Sequence, residues 1–143
     1  NLLQTSQLSH LRSGAGTHFW IHPGSGSPSK NTKLERLREI YESDYRKLPI
    51  LASFGEADHR LIDDFMKIFS NLKYDLIMPE NTADLLSKIA AKAAVFLGND
   101  SGPAHLSAAL GIPTIVSYCC TDPAIWKPAG QDVIIKCQIS RWR

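Results

Sequence analysis

Three observations in this sequence predict an α/β fold built on a mostly parallel sheet. Short apolar strand patterns alternate with amphipathic helix patterns from His18 to Cys137. The connecting helical stretches are long enough to cross over between parallel strands, and such crossovers are right-handed and cover both sheet faces. Glycine- and serine-rich turns follow the first and fourth strands, where open α/β sheets bind their ligands. The expected architecture is therefore a Rossmann-like, doubly wound parallel sheet.

Each element has its own signal. Residues 1–17 show no clear period and end in Ser13-Gly14-Ala15-Gly16, so a linker or short N-terminal helix is expected there, with the domain over 18–143. His18–His22 (HFWIH) reads as the first strand, followed by a Gly/Ser/Pro loop to Thr32. Leu34, Leu37, Ile40 and Tyr41 recur at helical spacing. A strand is expected at 48–53, and then a helix carrying Leu61, Ile62, Phe65, Ile68 and Phe69. Residues 74–78 read as a short strand, with Leu85, Leu86 and Ile89 on the helix after it. The fourth strand, 94–97, stops at Gly98. Ser101 or Gly102 can cap the next helix, Pro103 fits its first turn, and Gly111 with Pro113 ends it. Strands at Thr114–Tyr118 and Val133–Cys137 complete the pattern.

Composition narrows the possibilities. Hydrophobic content of 43% and charged content of 21% suit an ordinary globular domain. A net charge of +2 gives no electrostatic case for nucleic acid as a partner. No run reaches membrane-spanning length. Three cysteines (adjacent Cys119 and Cys120, and Cys137) form no disulfide framework; they read as buried thiols in a reducing compartment, so a cytoplasmic setting is expected. His18 and His22 lie four apart in a strand without a third ligand, and no metal site is expected. The chain starts at Asn1, and part of a longer protein is expected.

The chemistry concentrates in the turns that follow the strands. The helix after Ser101 opens directly behind a buried strand, so its free N–H groups and positive dipole end suit an anion, above all a phosphate. Ser101 adds a hydroxyl, Gly102 permits close backbone approach, and His105 lies about one turn in. The simpler alternative is that this turn only caps a structural helix. In the loop 23–30, Gly24 and Gly26 free the backbone, Ser25 and Ser27 add hydroxyls, and Lys30 supplies a charge suited to a pyrophosphate; a flexible polar loop with a solvated lysine is the simpler alternative, and the one the residues alone favour. It is no Walker loop, because Gly-Lys-Ser/Thr is absent. Glu56 and Asp58 follow the second strand, where a carboxylate suits the dipole at the start of the next helix. His105 reads as a phosphate donor in preference to a general base, since no nucleophile–base–orienter set surrounds it.

Asn99-Asp100-Ser101-Gly102-Pro103-x-His105-Leu106, continuing to Gly111-x-Pro113 and then Thr121-Asp122-Pro123 with Trp126, resembles the signature of the lipopolysaccharide heptosyltransferases, glycosyltransferase family 9. A second block, His22-Pro23-Gly24-Ser25-Gly26-Ser27-Pro28-Ser29-Lys30 with Leu34-Glu35-Arg36, is similar to the family's phosphate-loop segment and stands in the family's order. The likeness covers about residues 18–137. It implies the C-terminal, donor-binding half of a two-domain GT-B glycosyltransferase, without a cofactor. The implied donor is a nucleotide-diphosphate sugar, ADP-heptose-like, and the implied acceptor is a lipopolysaccharide core or related glycan. Ser25, Gly26, Lys30, Ser101, Gly102 and His105 would bind the diphosphate; Glu56 or Asp58, and Asp100, would bind ribose or sugar. The acceptor site and catalytic base would lie on an N-terminal domain that this chain does not match, and the chain alone would not turn over. Peripheral association of the parent enzyme with the inner face of the inner membrane is also implied.

Two departures bear on the donor. Asn31-Thr32-Lys33 stands where the family usually has Trp-Pro, and Cys119-Cys120 replaces a Gly-Pro in the turn near the donor base or sugar. A non-catalytic nucleotide- or phosphate-binding module of the same fold is the alternative reading.

Overall fold

The computed structural model describes residues 16–44, 46–118 and 133–137. The expectations for residues 1–15 and for the turn around Cys119, Cys120 and Trp126 lie outside these. The elements run β1 (His18–His22), α1 (Leu34–Glu42), β2 (Ile50–Ser53), α2 (Leu61–Ile68), β3 (Tyr74–Ile77), α3 (Thr82–Leu85, continued by a π-helical turn Leu86–Ala90), β4 (Ala93–Asn99), α4 (Gly102–Ala109), β5 (Thr114–Tyr118) and β6 (Val133–Cys137). Six parallel strands lie in the order β3-β2-β1-β4-β5-β6. The chain steps outward from β1 in one direction, then returns past β1 and steps outward in the other. The β1/β4 boundary is thus the topological switch point, where a crevice opens beyond the strand ends.

Strand alternation sorts the side chains into two cores. Phe19 and Ile21 of β1 face a layer made by Leu37, Ile40 and Tyr41 of α1 and Phe65 of α2. Trp20 points the other way, into Phe96, Ile89, Ala104 and Leu110. Trp20 and Phe96 meet edge to face at 4.7 Å, a geometry worth about 1 kcal/mol beyond burial itself. The small residues of α4 let it lie close to the sheet: Ala104, Ser107 and Ala108 are buried, and the Ser107 and Thr114 hydroxyls are 2.8 Å apart.

Two strand boundaries differ from expectation by two residues. The fourth strand runs on through Gly98 to Asn99, because Gly98 still pairs with His22 on one side and Val116 on the other. The second strand starts at Ile50, not at residue 48. Pro49 has no N–H to give the ladder, though its carbonyl still accepts from the Phe19 N–H at 2.8 Å.

Candidate donor site at the switch point

The loop after β1 and the turn after β4 meet at this crevice, and Asn99 joins them. Its side-chain amide donates to the Pro23 carbonyl (2.6 Å), and its Oδ1 accepts from the Thr32 N–H (2.8 Å). The Thr32 hydroxyl in turn donates to Ser117 Oγ at 2.8 Å. Both ends of the first loop are therefore fixed by buried side chains from β4 and β5. Within the loop, Ser25 Oγ sits 2.7 Å from the Ser27 carbonyl and 2.8 Å from Asn31 Oδ1, and it accepts from the Ser27 N–H. Ser25 thus shapes the turn, as serine hydroxyls do. Gly26 takes φ +79°, and a Cβ there would meet nothing within 4 Å. Lys30 closes a 3-10 turn, Pro28–Lys30, and is 40% exposed.

The turn after β4 is held by its own chain. Ser101 is the N-cap in extended conformation, with Gly102 and Pro103 as the first helical residues. The Ala104 and His105 N–H groups both reach the Ser101 carbonyl. Pro103 has no N–H, so the Gly102 N–H is the donor left at the helix start. Space is open beside it: a Cβ on Gly102 would meet nothing within 4 Å. The Ser101 hydroxyl makes no cap bond and turns back to the Asn99 carbonyl at 3.1 Å. Asp100, nearly buried, places Oδ2 3.9 Å from Lys30 Nζ and Oδ1 3.7 Å from His105 Nε2. The structure therefore brings Lys30, Asp100 and His105 together, with Ser101 and Gly102 in the same turn.

Glu56 and Asp58, equivalent in the sequence, have different surroundings. Glu56 is exposed at the sheet edge, whereas Asp58 is 6% exposed. The Asp58 carboxylate accepts from the Gly55 N–H at 3.1 Å and lies against Gly24 so closely that a Cβ on Gly24 would be 1.9 Å from it. Gly24 is required for that close approach. His22 Nε2 stands 3.7 Å from the same carboxylate. Its Nδ1 lies 2.7 Å from Ser53 Oγ, which also accepts from the Trp20 indole at 2.8 Å. Burial lowers the His22 pKa from 6.5 to about 4, against the opposing pull of Asp58 and the Ser53 backbone, so the imidazole is neutral at physiological pH.

Several of these features were beyond sequence reasoning. The Asn99 clamp, Thr32 and the Trp20–Ser53–His22 chain depend on strand register, which no local pattern announces. A cleft of about 630 Å³ was also missed. It opens beside His22, Gly102 and His105 and is walled mainly by Phe54, Pro79, Leu85, Leu86, Pro103 and Leu106. Its apolar residues come from three separate segments, so its only sequence trace is that all three follow strands or open helices at one sheet edge.

Comparison with known proteins places the fold and the family. The profile described as "Glycosyltransferase family 9 (heptosyltransferase)" matches residues 56–142. Among solved structures, the chain is similar to E. coli heptosyltransferase WaaC with ADP, at TM-score 0.73 and 19% identity, covering 96% of this chain and 44% of that one. It is similar also to the family 9 glycosyl transferase from Veillonella parvula (TM-score 0.65, 19% identity, 94% of this chain and 38% of that one). The E. coli ADP-heptose lps heptosyltransferase II matches at TM-score 0.64 and 19% identity, over 92% of this chain and 42% of that one. No curated protein matches. The chain spans less than half the length of these structures, which share its fold. On the profile match, over well more than half of its residues, the chain belongs to glycosyltransferase family 9, the heptosyltransferase family.

Proposed function

We propose that this chain is the donor-binding half of a sugar transferase that takes its sugar from a nucleoside diphosphate. One observation carries the reading: Lys30, the Gly102 helix start and His105 converge on open space at the switch point, directly beside an apolar cleft of about 630 Å³, roomy enough for a nucleoside. The diphosphate would lie between Lys30 and the α4 N-terminus, with the base against Phe54, Pro79 and Leu86. Glu56, exposed beside the cleft residue Gly55, would take the ribose hydroxyls, while Asp58 supports the loop through Gly55 and Gly24. Asp100 would contact a sugar hydroxyl. The WaaC structures hold ADP and an ADP-heptose analogue, which supports an ADP-linked sugar as donor.

Transfer would proceed by direct displacement at the sugar, with Lys30 and the helix dipole stabilising the leaving diphosphate as its charge grows. The domain would span 18–143, preceded by a linker or helix. The acceptor, a lipopolysaccharide core or related glycan, and the catalytic base would belong to an N-terminal domain, and the whole enzyme would work in the cytoplasm at the inner membrane face. Calorimetric titration with ADP, UDP and GDP tests the core of this. One diphosphate should bind selectively, and Lys30→Ala should weaken it by about tenfold or more, the usual cost of losing a charge-assisted contact. Absence of binding by folded protein, or binding indifferent to Lys30, would overturn the donor-site reading.

A further inference from the structure

We infer that Asp100 is a built-in counter-anion that makes the site favour the sugar-bearing diphosphate over the bare nucleoside diphosphate left after transfer. The inference rests on the donor-site reading above. Asp100 follows the last residue of β4, and its side chain is only 8% exposed. Lys30 and His105, by contrast, are 40% and 49% exposed at the side chain. Their separations from the carboxylate, 3.9 and 3.7 Å, exceed hydrogen-bond length. Asp100 therefore attracts Lys30, and His105 whenever its imidazole is protonated, while leaving their protons free for a ligand. Among the described residues no other charged side chain lies at its carboxylate.

The asymmetry in mobility gives the consequence. When a diphosphate enters, Lys30 and His105 are free to turn toward it, but a buried carboxylate at a strand end stays in place. Its field then acts on every negative charge in the crevice, where protein walls limit screening. The two ligands differ in that charge. In the donor both phosphates are esterified; once the sugar has left, the terminal phosphate can ionise a second time with a pKa near 6, adding up to about one charge at neutral pH. Repulsion from a fixed charge grows with the charge it meets, so the product is opposed more than the donor. Asp100 thereby aids product release and limits product inhibition, apart from any contact it makes with the sugar.

The test is a paired titration of the full chain at pH 7.5 with ADP and ADP-glucose, UDP and UDP-glucose, and GDP and GDP-glucose. Wild type is compared with Asp100→Asn, and with Asp100→Ser in case the amide disturbs folding; thermal unfolding checks both. Removing the charge should tighten the bare diphosphate about five- to tenfold and its sugar conjugate by less, at most about three- to fivefold, because the conjugate carries about two charges against the product's three and loses any sugar contact made by Asp100. A purely structural role would weaken both ligands alike. An unchanged ratio, equal weakening, or a wild type that greatly prefers the bare diphosphate would overturn the inference. If wild type binds no diphosphate while folded, the donor-site reading falls with it. If wild type binds and Lys30→Ala weakens it but the ratio stays fixed, only the role of Asp100 is lost.

Discussion

The two turns that face the crevice are held by opposite means. The loop after β1 has its ends tied by partners distant in sequence: Asn99 grips Pro23 and Thr32, Ser117 grips Thr32, and Asp58 seats against Gly24. The turn after β4 is secured within four residues, by the Ser101 carbonyl accepting from Ala104 and His105 and by the Ser101 hydroxyl reaching Asn99. One half of the site is thus a product of tertiary structure and the other of local helix initiation. Asn99 belongs to both, since its side chain fixes the first loop and its carbonyl receives the Ser101 hydroxyl. Of these contacts, those of Asn99 are the ones that link the Lys30 loop directly to the turn at the α4 N-terminus.

Asn99→Ala is the strongest test of the contrast. It strands the Thr32 N–H and the Pro23 carbonyl in a buried setting, at a cost of about 4 kcal/mol for two unsatisfied backbone groups. Chemical denaturation should show that loss, and hydrogen exchange should show the first loop opening before the start of α4. A cost below about 1 kcal/mol would mean the first loop is held locally as well, because a lost hydrogen bond left unsatisfied in the interior is not that cheap.

The same contrast explains what the sequence made legible. All six strands and the four main helices were readable, since periodicity, Gly and Pro are local signals. The Ser101-Gly102-Pro103 helix start was readable for the same reason. The clamp was not: Asn99 lies 67 residues from Thr32 and 76 from Pro23, and nothing near Asn99 marks what its amide will meet. Likewise, alternation puts Trp20 and His22 on one face of β1, but only the register Ile21↔Ala52 brings Ser53 beside them. Glu56 and Asp58 could not be told apart because the difference between them is burial against Gly24, a tertiary fact. The strand end at Gly98 was misplaced because glycine reads as a terminator, whereas here it continues the β4 ladder.

Acid should separate the two turns next. His22 ends β1, immediately before the first loop, and is held neutral with a pKa near 4 against 6.5 in an unfolded chain. Between those values the unfolded chain binds the extra proton and the folded one does not, so stability falls as pH drops through the window. For this group alone the loss reaches roughly 3 kcal/mol at the lower end. His105, at the second turn, is half exposed and contributes no comparable burial. Thermal unfolding from pH 7 to pH 4 should therefore show a steeper decline in wild type than in His22→Gln, which cannot titrate. Parallel profiles for the two proteins would mean that His22 is not held neutral by the fold.

Ser101→Ala should have the smallest effect on stability and the most local one. Replacing an N-cap serine often costs about 1 kcal/mol because a helix N–H loses its acceptor. Here the hydroxyl accepts from no helix N–H; it donates to the Asn99 carbonyl, and the helix start rests on the Ser101 backbone carbonyl, which alanine keeps. The cost should therefore stay below about 0.5 kcal/mol, less than a typical net hydrogen bond. Diphosphate affinity should fall more visibly, by about threefold to tenfold, because the hydroxyl can exchange its backbone acceptor for a phosphate oxygen. Stability and binding thus part company at Ser101, whereas at Asn99 they fail together. A Ser101→Ala protein as unstable as Asn99→Ala would show that the hydroxyl, and not the backbone, holds the second turn, and the two halves of the site would then share one mode of support.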